Sequence, residues 1–144
     1  SLSGVKNPDG PADAIIVHPD VRRMLLTQKS IAEGGRALIA YLAQLVDIGH
    51  ASTCEEEKVA AETKLALLTP IAKAFLTELG LECTSHGIQV FGGHGYIKEH
   101  GMEQIYRDAR IATLYEGTTG IQAMDLIGRK VVLDGFKLYG GFCK

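Results

Sequence analysis

The sequence predicts an all-α protein built as an antiparallel helical bundle. Apolar residues recur at three- and four-residue spacing over long stretches, no stretch sustains the alternation of a β-strand, and no segment repeats internally. The 144 residues are 46% hydrophobic and 22% charged, which is ordinary for a globular domain large enough to bury a core. This composition excludes disordered and fibrous proteins as classes.

Charge and cysteine content indicate which kinds of partner and which cellular compartment to expect. The 15 basic and 17 acidic residues leave a net charge of −2, which lacks the positive field that binds nucleic acid. No apolar run approaches the roughly 20 residues of a membrane span. The three cysteines form no CxxC pair and the histidines no ligand cluster, so we expect no metal site, a reducing compartment and a cytoplasmic location.

The first element is a long helix that follows an irregular N-terminal arm, residues 1–18. Pro19 and Asp20 suit the first turn of a helix, and the apolar pattern then continues to about residue 48. A helix over 19–48 is too long to be stable alone, so it must pack against partner helices. The pair Gly34-Gly35 indicates either a close helix crossing or a mild kink.

The next stretch is predicted to hold two helices. Ser52 or Thr53 can cap a helix whose first turn is acidic, which predicts a helix over 54–68. Thr69-Pro70 then repeats a cap-and-proline signal. Since a proline inside a helix costs about 3 kcal/mol, the pattern predicts a break and a third helix over 70–91.

A glycine-rich turn over 92–101 separates these helices from two shorter ones, predicted over 102–110 and 118–132. The bundle therefore occupies residues 19–133. We expect residues 134–144 to form a tail that leads into a further C-terminal region.

The first candidate functional segment is QVFGGHGY, residues 89–96. Gly92, Gly93 and Gly95 allow positive φ angles and let the backbone approach a phosphate or ribose closely. The segment lacks both the GxGxxG and the P-loop pattern. A plain helix C-cap and a ligand-contacting loop both fit it.

The second candidate segment is RDARIATLYEGTTGIQ, residues 107–122. Glu116 precedes Thr118 and Thr119, so it can serve as an acidic residue at a helix N-terminus capped by one of the threonines. Alternatively, a carboxylate beside Tyr115 and on the flexible joint with Gly117 can act as a general base. The residues alone leave both interpretations open.

In this order and spacing, the two segments resemble the C-terminal helical domain of acyl-CoA dehydrogenases, and the similarity extends over residues 19–133. The stretch HPDVRRMLLTQKSIAEGGRALIAY is similar to a bacterial branch of unusually long chains, which includes enzymes for short acyl groups such as 3-methylmercaptopropionyl-CoA. In that family an N-terminal helical domain, a β domain and an arginine that reaches the flavin phosphates precede this bundle. The resemblance therefore implies a fragment of an FAD-dependent enzyme.

The resemblance also implies a role for each residue of the YEG motif. Glu116 matches the base that removes the α-proton of an acyl-CoA thioester while hydride leaves the β-carbon for flavin N5, which gives trans-2-enoyl-CoA. Its backbone NH matches the group that, with a flavin ribityl hydroxyl, binds the thioester carbonyl. Tyr115, Glu116 and Gly117 are therefore the expected substrate-binding residues.

For FAD, the resemblance implies two contact regions. Gln89, Gly92 and Gly93 match a QxxGG element that reaches the adenosine-pyrophosphate portion of the flavin on a neighbouring subunit. Thr118 matches a threonine near the pyrophosphate. Gly120 departs from the pattern, because many relatives have a glutamine there, and one side-chain contact to the cofactor is therefore missing.

The family further implies an acyl-CoA substrate, electron-transfer flavoprotein as electron acceptor, and a homodimer or homotetramer. Two alternatives share this helical fold: a non-catalytic oligomerisation or interaction module, and an acyl-CoA oxidase. The presence of Glu116 favours an enzyme over the module.

Overall fold

Two long antiparallel helices form the scaffold of the protein. The computed structural model describes residues 4–143, in which α1 spans Pro19–Ala51 and α2 spans Glu55–Phe91. No strand occurs among these residues, so the predicted all-α class is confirmed. A short 3₁₀ helix, Ile15–Val17, lies in the segment predicted as an irregular arm.

The α1–α2 turn is closed by one serine side chain. Ser52 Oγ accepts a hydrogen bond from the backbone N of Cys54 at 3.1 Å and donates one to Glu57 Oε2 at 2.7 Å. Three glutamates occupy the first turn of α2, where the positive end of the helix dipole stabilises them. A helix begins at this point as predicted, but the predicted cap is wrong, because Cys54 and not Ser52 or Thr53 is the N-cap.

A glycine lets the two long helices approach each other closely. A Cβ atom on Gly35 would lie 3.1 Å from Leu76 Cδ2, whereas nothing lies within 4 Å of one on Gly34. Of the two interpretations of this pair, the close crossing is therefore correct. The apolar side chains buried along this interface form a small core, which consists of Met24, Leu45, Ala61, Leu67 and Ala72.

The predicted break at Pro70 is wrong, because α2 runs through this residue without interruption. Pro70 is buried together with Leu67 and Ala72, so the packing of this turn compensates for the hydrogen bond that proline cannot donate. Thr69 Oγ1 donates to the carbonyl oxygen of Leu65 at 2.6 Å, so the predicted cap residue instead bonds back into the preceding turn of the same helix.

The remaining helices pack on α2. They are α3 (Met102–Ile111), α4 (Thr119–Met124), a π-helix that continues α4 (Asp125–Leu133), and α5 (Lys137–Phe142). The predicted helix over 118–132 is thus observed as α4 and a wider π-helical continuation. In the described part of the chain the backbones of these elements lie against α2 and against one another rather than against α1, so α2 is their main support.

None of the helices formed by residues 4–143 combines the length and the apolarity that a membrane crossing requires.

Candidate functional site

The candidate base lies in the connector between α3 and α4, residues 112–118. Glu116 occupies a bend in this connector and is exposed, and the neighbouring Tyr115 is 55% exposed. Thr113 near the start of the connector is only 5% exposed, and its hydroxyl donates to the carbonyl oxygen of Arg110 at 3.1 Å. Arg110 Nη1 in turn donates to Thr113 Oγ1. The connector is therefore fixed at its buried start, and its carboxylate points away from the core.

Two side chains of α2 hold the connector. Lys73 Nζ donates to the carbonyl oxygen of Ala112 at 3.1 Å and lies 5.1 Å from the centre of the Tyr115 ring. On the other side of Glu116, Thr119 Oγ1 donates to Glu78 Oε1 at 2.6 Å. Glu116 therefore lies between two residues, Ala112 and Thr119, that are hydrogen-bonded to α2.

The end of the connector is shaped by a glycine and a helix cap. Gly117 has φ +80°, and its carbonyl oxygen accepts from Gln122 Nε2 at 3.1 Å. A side chain on Gly117 would meet that Gln122 amide as well as strain the backbone. Thr118 is the N-cap of α4, because its Oγ1 accepts from the backbone N of Ile121 at 3.4 Å.

The glycine-rich segment continues directly from α2 as two short 3₁₀ helices, Gly92–Tyr96 and Lys98–His100. Gly92 ends α2 with φ +60°, and its N–H donates to the carbonyl oxygen of Gln89. Gln89, Gly92 and Gly93 are all exposed, and a Cβ atom on either glycine would meet nothing within 4 Å. The segment is thus a helix cap whose outer side is open backbone.

This geometry leaves room for a ligand that carries phosphate groups. Backbone without side chains at Gly92 and Gly93 allows a phosphate or ribose to approach closely, and Gln89, three residues before Gly92, is exposed as well. Thr118 is half-buried and uses its hydroxyl oxygen as an acceptor, which leaves the hydroxyl hydrogen to donate to an anionic group. The helix Gly92–Tyr96, called the glycine helix below, contacts α2 and α3 but not α4 in the described residues. The glycines and Thr118 therefore lie in two separate regions.

The sequence interpretation did not single out Lys73 or Glu78, the two residues that hold the connector. One signal could have indicated the lysine, since it is the only charged residue between Pro70 and Thr77. Gln122 was part of the quoted motif but had no assigned role.

The fold and the connector lead to a family. Residues 5–132 match the sequence model described as "Acyl-CoA dehydrogenase, C-terminal domain". Because this match covers most of the chain, the chain belongs to the acyl-CoA dehydrogenase family, and the resemblance found from the two motifs is confirmed.

Individual relatives narrow the comparison. The chain is 50% identical over 121 residues to the 3-methylmercaptopropionyl-CoA dehydrogenase of Ruegeria pomeroyi. The aligned region covers 84% of this chain and 20% of that protein. It is 39% identical over 127 residues to a butyryl-CoA dehydrogenase of Syntrophomonas wolfei, which covers 88% of this chain and 21% of the relative. The chain thus spans about a fifth of the length of these relatives.

A shorter match involves a protein whose name describes an electron-transfer complex. Over 58 residues, 40% of this chain and 15% of the relative, the chain is 43% identical to the caffeyl-CoA reductase-Etf complex subunit CarC of Acetobacterium woodii.

Proposed function

We propose that this chain supplies the general base and part of the FAD site of an acyl-CoA dehydrogenase, which converts an acyl-CoA to trans-2-enoyl-CoA. The observation that carries this proposal is Glu116, an exposed carboxylate on a connector held to α2 at both ends. Family membership and the acyl-CoA dehydrogenase names of the relatives support it.

In this proposal the carboxylate of Glu116 accepts the proton of the acyl α-carbon. The β-carbon loses hydride, and a double bond forms between the two carbons. The backbone NH of Glu116 donates to the thioester carbonyl, which acidifies the α-carbon by stabilising the negative charge that develops on its oxygen. Tyr115 and Gly117 flank the carboxylate, and the positive φ of the glycine turns the chain sharply after the base.

We propose FAD as the cofactor. Its flavin ring would be the acceptor of the hydride. Gln89, Gly92 and Gly93 are placed to contact its adenosine-pyrophosphate portion through open backbone and one amide side chain. Thr118 is placed to donate a hydrogen bond to its pyrophosphate. Because the two sets lie in separate regions of the chain, we infer that they serve flavins of different subunits.

We further propose an acyl-CoA substrate, electron-transfer flavoprotein as the acceptor of the electrons, and a cytoplasmic location. The name of the Acetobacterium woodii relative, which refers to an Etf complex, supports this choice of electron acceptor. The three cysteines are all free thiols, which suits a reducing compartment.

We also propose that the protein self-associates as a homodimer or homotetramer. Large apolar side chains are exposed along α2, α4 and the π-helix, including Phe75 at 54%, Met124 at 71% and Leu133 at 81%. Apolar exposure on this scale is typical of surfaces that pack against other protein. Sedimentation velocity over a concentration series tests this, and a strictly monomeric profile up to high micromolar concentration would contradict it.

The decisive experiment replaces Glu116 by glutamine in the full-length protein that carries this chain. Glutamine has nearly the same size but accepts no proton, so the rate of flavin reduction in anaerobic single-turnover mixing should fall by about 10² to 10⁴. Acyl-CoA binding, seen as a perturbed flavin spectrum, should survive.

Glu62→Gln is the matched control, because Glu62 is an exposed carboxylate on α2 without a hydrogen bond to a described residue. Flavin reduction in Glu116→Gln at the rate of the Glu62→Gln control would place the base elsewhere. Rapid reoxidation of the reduced flavin by oxygen alone, without electron-transfer flavoprotein, would favour an acyl-CoA oxidase instead.

A further inference from the structure

Lys73 is a half-buried cation on α2, and no acidic partner for it lies among the residues that the structure describes. The ion pairs formed by residues 4–143 do not include it. Its neighbours in sequence are apolar, with Pro70 and Ala72 buried. Partial burial of an unpaired charge is unfavourable unless other groups stabilise it. Neutral acceptors in its surroundings must therefore take that role.

Those acceptors both belong to the connector that carries Glu116. Lys73 Nζ donates to the carbonyl oxygen of Ala112, 39 residues away in sequence, at 3.1 Å. No backbone amide in the turns and loops of the described residues donates to this carbonyl. Ala112 is also the C-cap of α3, where the negative end of the helix dipole attracts a cation.

The second acceptor is the aromatic ring next to the base. Lys73 Nζ lies 5.1 Å from the centre of the Tyr115 ring, within the range of a cation–π interaction. One ammonium group thus binds the connector both at its first residue and immediately before Glu116. The backbone between these two contacts has little freedom to change its direction.

The far side of Glu116 is held by the same helix. Thr119 Oγ1 donates to Glu78 Oε1 at 2.6 Å, and Glu78 lies five positions after Lys73 on α2. Five residues of an α-helix span roughly 7.5 Å along its axis, and α2 is continuous over these positions. The spacing of the two attachments is therefore fixed by α2 and not by the connector.

We propose that Lys73 is a positioning residue, which places the Glu116 carboxylate for proton abstraction by holding the Ala112 carbonyl and the Tyr115 ring. The proposal rests on the proposed function of Glu116. It assigns a kinetic role to a side chain that acts through its contacts with the Ala112 carbonyl and the Tyr115 ring.

The test uses Lys73→Met in the full-length flavin-loaded protein, because methionine keeps the length of the side chain and removes its charge. Misplacement of a reacting group by about 1 Å can cost about 10²-fold, so the rate of flavin reduction should fall by at least about tenfold. KM for acyl-CoA should stay within about threefold, since Lys73 itself is not one of the expected substrate-binding residues and the substituted variant keeps Tyr115. Lys73→Arg, which can reach the same two acceptors, should recover most of the rate.

Two measurements separate positioning from a general effect on folding. Hydrogen exchange of residues 113–118, measured without substrate, should accelerate in Lys73→Met but not in Lys64→Met, which alters a half-buried lysine of the same helix. In a double-mutant cycle, Lys73→Met should slow flavin reduction far less when Glu116 is already glutamine, because the carboxylate that it positions is absent.

Each outcome either supports or overturns the proposal. A parental reduction rate in Lys73→Met overturns it, as does a lowered rate with unchanged exchange in residues 113–118 or with full additivity in the cycle. If Lys73→Met does not fold, Lys73→Gln is the second variant, because its shorter neutral side chain also removes the charge from the Tyr115 ring; unchanged exchange and rate in that variant also overturn it. Failure of the proposed function is recognised separately, because Glu116→Gln alone would then keep the parental rate.

Discussion

The connector over residues 112–118 and the glycine helix over residues 92–96 both follow the end of a helix, yet they are held in different ways. Side chains of α2 tie the connector down, through Lys73 and Glu78. Within residues 4–143 the glycine helix has no side-chain hydrogen bond to α2; its shape comes from Gly92 at φ +60° and from Gly95, which is buried against the last turns of α2.

This difference matches the two tasks that we propose for these segments. A general base must hold one carboxylate in one place, which side chains anchored on a rigid helix can achieve. A segment that offers backbone to a phosphate must stay free of side chains on its outer side. Substitutions should therefore act mainly on rate in the connector and mainly on stability or cofactor affinity in the glycine helix.

The largest effect should come from Gly95→Ala in the glycine helix. A Cβ atom there would lie 2.5 Å from the carbonyl oxygen and 2.9 Å from the Cα atom of Ile88, so the backbone must shift. We expect a loss of about 3 kcal/mol in the free energy of unfolding, measured by chemical denaturation. Gly34→Ala is the control, since its site is open and helical, and it should stabilise the chain by up to about 1 kcal/mol.

Next in size is Glu116→Asp in the connector, tested in the full-length protein. Removal of one methylene group withdraws the carboxylate by about 1.5 Å, and a displacement of this order costs about 10²-fold in the rate of flavin reduction. This corresponds to about 2.7 kcal/mol of activation free energy. The unfolding free energy should not change, and a rate within a few fold of the parent would mean that the connector adapts easily.

Gly92→Ala should have a smaller effect, of about 1 to 2 kcal/mol on the unfolding free energy. Its φ of +60° with ψ −142° is a conformation that residues with a side chain rarely adopt, although the space around it is open. Denaturation of this variant beside Gly95→Ala separates backbone strain from steric overlap. An equal loss in both variants would argue that strain alone shapes the glycine helix.

The smallest effect on stability should come from Gly93→Ala, below about 0.5 kcal/mol, because no atom lies within 4 Å of the added methyl group and its φ is not positive. If Gly93 faces the cofactor as proposed, the same variant should still weaken FAD binding by the full-length protein several fold. Titration with FAD while following its fluorescence measures this. Unchanged affinity would remove Gly93 from the proposed FAD site.

Much of the candidate site was predictable because its signals are local. Glu116, Gly117 and Thr118 are consecutive residues whose turn, positive φ and N-cap follow from their own chemistry. Gly92 and Gly93 at the end of α2 could be identified from the sequence for the same reason. Lys73 and Glu78 were not, since their partners lie 39 and 41 residues further along the chain and only the packing of α2 brings them together.

The sequence by itself determined the all-α class, the start of α1 at Pro19 and the family, because helical periodicity, caps and a spaced motif are properties of neighbouring residues. Only the tertiary structure decided that α2 continues through Pro70. A local rule assigns proline a cost of about 3 kcal/mol, but that rule omits the buried packing of Pro70, Leu67 and Ala72. The tertiary structure also decided that Lys73 and Glu78 bind on the two sides of Glu116, because only the packing of α2 brings together residues that lie 39 and 41 positions apart in the chain.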